Sequence, residues 1–198
     1  MSAPPITVLT ATPEEAAAIV AAVREAEGRL IAGPEHVAGL LKLLSDPRVS
    51  DPIYDLPRPL TSDSIAAWVA RNAAEQAEGR AILAVNLDEA GEVAGYSHFA
   101  IWPERASGEL AGARRADLQN SGHGREGVAH SIAWMFQTLG LRLIGLTAAL
   151  DNVRSAKAID GAGFRRMGER DSVRPDGTLR RSLYWELTRD EWRKMHRL

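Results

Sequence analysis

Apolar residues recur mainly at helical spacing up to about residue 78, and from Arg80 the period changes to strands interrupted by helices; this change limits the fold more than any other feature. Before the switch, residues 6–10 read as a short strand. Thr12, Pro13 and Glu15 then supply a cap, a first-turn proline and an acid three residues after the cap. Ile19, Val20 and Val23 carry that helix to about Glu27. Gly33 and Pro34 open a second helix with Val37, Leu40, Leu41 and Leu44 on one face. Residues 46–60 hold four prolines and read as an irregular crossing, and residues 62–78 form a third helix burying Ile65, Trp68 and Val69.

After the switch, residues 81–87 and 92–102 form a hairpin, and residues 109–115 a further strand. Val128, Ile132, Met135, Phe136 and Leu139 mark a helix over 125–139 that Gly140 stops. Residues 143–150 are an apolar strand, and Asn152 caps a short helix ending near 161–163. Residues 164–173 and 179–187 are strands joined through Pro175, Asp176 and Gly177. The fold class is α/β, of the α+β kind: one domain over residues 1–198 with a central twisted, mixed, mostly antiparallel sheet of about 6–7 strands flanked by helices.

The 198 residues contain no cysteine, which removes disulfides, thiolate metal sites and a cysteine nucleophile. A net charge of −2 argues against a nucleic-acid or anionic-membrane partner. Residues 1–10 lack the basic start of a signal peptide, and no apolar run approaches the roughly 18 residues of a membrane span. The expectation is a cytoplasmic protein, and exposed strand edges leave a homodimer open. His36, His130 and His196 have no ligand-spaced neighbour, so no metal site is expected.

Chemistry concentrates in Gln119, Asn120, Ser121, Gly122, His123 and Gly124, standing between a strand and the long helix. Bare backbone amides at a helix N-terminus make a phosphate or pyrophosphate site; a plain glycine turn is the alternative. Gly122, Gly124 and Gly127 spell the dinucleotide fingerprint, but the residues before them are polar, where that motif needs an apolar strand. No Lys-Ser/Thr follows, so the Walker pattern fails.

Taken together, the Q-x-x-G-x-G stretch from Gln119, the Leu139-Gly140-Leu141 stop, Asn152 with Ser155, and Ala162-Gly163-Phe164 resemble the GCN5-related N-acetyltransferase superfamily. The nearest branch in pattern is the Rim-type ribosomal-protein N-terminal acetyltransferases, over about residues 55–193. The resemblance implies acetyl-CoA as co-substrate, an acetyl-CoA-binding core over 80–198 and a helical acceptor-side region over 1–79. Gln119 to Gly124 would wrap the pyrophosphate, Arg114 and Arg115 would lie beside the pantetheine arm, and Asn152 would face it while capping its helix.

The implied reaction is direct transfer of acetyl to a primary amine, at a protein N-terminus or on a small molecule. An amine attacks only when neutral, and the departing thiolate gains from an O–H donor. The family's frequent base is Thr147 here and its frequent tyrosine acid is Ile159; neither can do that proton chemistry. Ser155 is the substitute donor, and Glu109 and His98 are candidate bases. His123 is a possible phosphate contact, and residues 56–61 and Trp68 would flank the acceptor groove. Two rival readings stay open: an acyl-CoA- or partner-binding module without turnover, and a nucleotide-binding oxidoreductase.

Overall fold

The computed structural model describes residues 3–118 and 123–197, and side chains are not described over 123–125. A proline-initiated helix, α1 (Pro13–Glu25), starts under Thr12, whose hydroxyl accepts the Glu15 amide at 3.2 Å. It stops where Ala26 turns left-handed. After a short 3-10 turn come α2 (Val37–Leu44), the single turn α3 (Pro47–Ser50) and α4 (Ser62–Ala77). The Thr61 amide donates to the Ser64 hydroxyl at 3.0 Å and the Ser64 amide to the Thr61 hydroxyl at 3.1 Å, which opens α4.

The sheet and its flanking helices follow: β1 (Ala81–Leu87), β2 (Val93–Trp102), β3 (Ser107–Arg114), α5 (His123–Gln137), β4 (Leu143–Ala149), α6 (Val153–Gly161), β5 (Arg165–Val173), β6 (Leu179–Thr188) and α7 (Arg189–His196). The six strands lie in the order β1-β2-β3-β4-β6-β5. Hairpin-linked neighbours run antiparallel, while the α5 crossover makes β3 and β4 the parallel pair.

Alternation divides the sheet into two unlike faces. One buries Ile82, Phe99, Ile101, Ile144, Leu146 and Trp185 against α1, α5, α6 and Trp192 of α7. On the opposite face, Leu83, Val85 and Tyr96 pack under α2, α4 and Leu56. The rest of that second face is polar, carrying Glu109, Thr147, Ser182, Tyr184 and Glu186. Across it runs the N-terminal segment, pinned by side chains: Glu186 accepts the Thr7 amide at 2.9 Å, and Arg170 donates to the Ala3 carbonyl at 3.2 Å.

Three expectations change. Residues 6–10 are not a strand, because the outer edge of β1 is taken by residues 30–32, with Ala32 N donating to Leu83 O and Val85 N to Leu30 O, each at 2.8 Å. The proline-rich crossing contains α3, opened by Asp46, which accepts the Arg48 amide. The terminal helix α7 was not expected; its signal is the Thr188–Glu191 capping box, with Glu191 accepting the Thr188 amide at 2.9 Å. Among the described residues no helix is long and apolar enough to cross a membrane.

Candidate active site

The parallel pairing of β3 and β4 is short. It covers Ser107, Gly108 and Glu109 against Leu143, Ile144 and Gly145, then stops. Beyond that point β3 continues to Arg114 bonded to β2, and β4 continues to Ala149 bonded to β6. Among the described residues, the facing edges over 110–114 and 146–149 therefore carry no ladder to each other, which leaves a gap in the pairing, here called the cleft. An extended ligand bearing amides can add to such edges as a short strand does.

Each of the two parting strands is followed in the chain by a helix. The chain leaving β3 enters α5 at His123, and the chain leaving β4 enters α6 at Val153. Asn152 caps α6, its Oδ1 accepting the Ser155 amide at 3.1 Å, which fixes Ser155 in the first turn. The positive ends of helix dipoles favour anions there.

Glu109 lies at the root of the cleft, only 5% exposed, on the polar face of the sheet. Thr147 donates its hydroxyl to Glu109 Oε1 at 3.0 Å across the point where the strands part. Sequence alone marked Thr147 as a missing base; the fold makes it the partner of the carboxylate that remains. His98 lies on the same face, beside Ala111 in register and so diagonal to Glu109. Burial pushes its imidazole below the ordinary histidine value, and the negative charges of Asp55 and Glu75 partly oppose that shift. At neutral pH His98 is therefore a neutral acceptor of protons.

Tyr184 and Glu186 complete this face and escaped the sequence reading. The Tyr184 hydroxyl donates to Glu186 Oε1 at 2.8 Å, and burial followed by that carboxylate raises the phenol well above its ordinary value. Glu186 is 1% exposed, and its Oε2 has no hydrogen-bond partner. Gly145 sits between Glu109 and Glu186 in one cross-strand row, and a Cβ there would lie 2.7 Å from the Tyr184 hydroxyl. The available signal was alternation in β6: Leu183, Trp185 and Leu187 face the core helices, which turns Tyr184 and Glu186 the other way.

The fold thus brings Glu109 and His98 onto one face, and sets Ser155 and Asn152 at the far end of β4. Arg114 ends β3 opposite Gly95. Arg115 is occupied otherwise: its guanidinium holds Asp88 and Asp117, both at 2.8 Å, and the two carboxylates raise its pKa. It ties the β3 end to the β1–β2 turn. Gln119, Asn120, Ser121 and Gly122 lie outside the described residues; of His123 and Gly124 only the backbone, in the first turn of α5, is described.

A mixed sheet with a parted central parallel pair, a helix after each parting strand and a buried carboxylate at the root of the gap defines a protein able to take an extended anionic carrier beside a proton acceptor. The sequence profile described as "Acetyltransferase (GNAT) domain" matches residues 29–165, more than half of the chain, and the chain belongs to that family of acetyltransferases. No curated protein matches it. Among solved structures, a ribosomal-protein alanine acetyltransferase from Vibrio fischeri has a TM-score of 0.68 at 17% identity, covering 82% of this chain and 92% of the other. RimJ from Mycobacterium smegmatis, in complex with CoA-disulfide, has a TM-score of 0.68 at 18% identity over 81% of each chain. A chimera of the Vibrio cholerae spermidine N-acetyltransferase SpeG and hSSAT has a TM-score of 0.68 at 14% identity, covering 82% of this chain and 95% of the other.

Proposed function

We propose that this chain transfers the acetyl group of acetyl-CoA to a primary amine at the β3–β4 cleft, by direct attack and in the cytoplasm. The observation that carries the reading is the end of pairing after Glu109 and Gly145, with a buried carboxylate where the strands part. The cleft suits the co-substrate: its facing edges match the amides of the pantetheine arm, and the helix N-termini match the phosphates. Gln119, Asn120, Ser121, Gly122, His123 and Gly124 would hold the pyrophosphate, with Arg114 and Asn152 beside the arm. When bound, acetyl-CoA supplies an acetyl group activated as a thioester.

Glu109 then acts as the base. Its carboxylate takes a proton from the acceptor ammonium directly or through one water, and the Thr147 hydroxyl keeps the carboxylate oriented. His98, neutral through burial, is the second proton acceptor on the same face. Ser155 offers its O–H to the sulfur as the C–S bond breaks, in place of the tyrosine absent at Ile159. Acceptors are a protein N-terminus or a small amine, in keeping with the names of the neighbouring structures.

Isothermal titration tests the first half: acetyl-CoA should bind with Kd in the micromolar range, and no heat at tens of micromolar contradicts the reading. Steady-state thiol release tests the second. Glu109→Gln should lower kcat by about 10²–10⁴-fold while leaving the acetyl-CoA Kd unchanged. Binding without any thiol release would favour a carrier-binding module instead.

A further inference from the structure

The segment joining α3 to α4 carries a carboxylate that the reaction has not used. Asp55 stands between two anchors. Tyr54 lies under the Arg180 guanidinium at 4.5 Å, and Leu56 is buried with α2 and α4. Arg180, from β6, also donates to the Pro52 carbonyl at 2.7 Å and to Ser182 Oγ at 3.2 Å. The segment is thus tied on one side to β6 and on the other to the helices, and it holds Asp55 over the polar face between them.

Asp55 is half-buried, and its carboxylate makes no hydrogen bond or ion pair with any described residue. Its negative charge is felt at Tyr96 and His98 on β2 and at Arg180 on β6. Those three come from both sides of the strands bearing Glu109 and Thr147, so the carboxylate overlooks the place where an acceptor must approach. Arg180, the cation nearest in effect, already spends its Nε and Nη1 on Ser182 and Pro52 and its face on Tyr54. A cavity of about 230 Å³ opens beside the segment, lined in part by Tyr54, Arg58, Arg174 and Asp176. A carboxylate in that place, without an ion pair of its own, is open to a cationic ligand.

We infer that Asp55 is a specificity-determining residue that receives the positively charged ammonium of the acceptor before Glu109 or His98 removes the proton. This rests on the acetyl-transfer reading. The acceptors it selects are alkylammonium cations, free in a small amine or at a peptide N-terminus, whose ordinary pKa of about 8–10 keeps them charged at neutral pH. An arylamine, neutral at that pH, gains nothing from Asp55.

The experiment compares the wild-type protein with Asp55→Asn and Asp55→Glu, using thiol release with a small diamine, a short peptide with a free α-amine, and an arylamine. Acetyl-CoA titration and thermal melting run in parallel on each variant. Asp55→Asn should raise KM for the cationic acceptors by about 10- to 100-fold, the range for a lost charge-assisted hydrogen bond, with kcat changed far less. It should leave the arylamine kinetics and the acetyl-CoA Kd as in the wild type, and Asp55→Glu should recover part of the loss. The diamine and peptide arms show which source of the ammonium is used. An unchanged KM for every cationic acceptor overturns the inference, as does an equal rise for the arylamine, which would mark Asp55 as structural. A wild-type protein that binds no acetyl-CoA overturns the parent reading and this one with it.

Discussion

At the scale of single residues, the site turns on how burial tunes groups that chemistry could use in either state. His98 is the clearest case. Burial lowers its folded pKa below the ordinary 6.5, so on acidification the unfolded chain takes up a proton that the folded chain refuses. Its contribution to stability is therefore complete above about pH 6.5 and is lost as pH falls through the lowered folded value. Urea unfolding between pH 7 and 5 should show a steeper loss for the wild type than for His98→Gln; equal slopes would contradict the burial account. Part of this was legible in the sequence, since Glu109 and His98 are the acid and imidazole of adjacent strands. Thr147, Tyr184 and Glu186 were not, because their importance comes from cross-strand partners. A threonine 38 positions from its glutamate carries no local signal.

Elements were more readable than sites, for a physical reason. Caps and apolar periods act over three or four residues, so Thr12 and Asn152 each announced a helix that the structure contains, and the apolar face of Ile65, Trp68 and Val69 announced α4. The last helix has Trp192 as its one buried residue, so it left too little apolar period to notice. Gly140, at φ +74°, lies just past α5, which ends at Gln137, two residues before the end the sequence placed at 139. Gly145 works differently: it has an ordinary strand backbone, and what it supplies is space beneath the Tyr184 hydroxyl. Gly145→Ala would press a methyl against that buried oxygen and should cost about 1–3 kcal/mol, the usual penalty of overpacking. Thermal unfolding should show Tm lower by several degrees, with Tyr184→Phe in the same background recovering part of it. An unchanged Tm would mean that the polar row at the cleft root is looser than the structure describes.

For the molecule as a whole, function follows from two asymmetries of one sheet. One face is closed by apolar packing along its length; the other is closed by helices only over β1 to β3 and stays polar over β4 and β6. The central parallel pair closes for three residues and then opens. Sequence periodicity predicted a mixed, mostly antiparallel sheet and the helix between β3 and β4; the structure shows that this crossover makes the two strands parallel. It did not reveal where their pairing ends, because the register of a parallel pair is set by packing against α5 rather than by a turn. The central claim is that this opening holds the arm of acetyl-CoA. A crystal structure of the protein with acetyl-CoA tests it most directly. The account predicts density for the arm between residues 110–114 and 146–149, hydrogen-bonded to both edges, with the phosphates at the N-terminus of α5; density elsewhere, with those edges left unpaired, would contradict it.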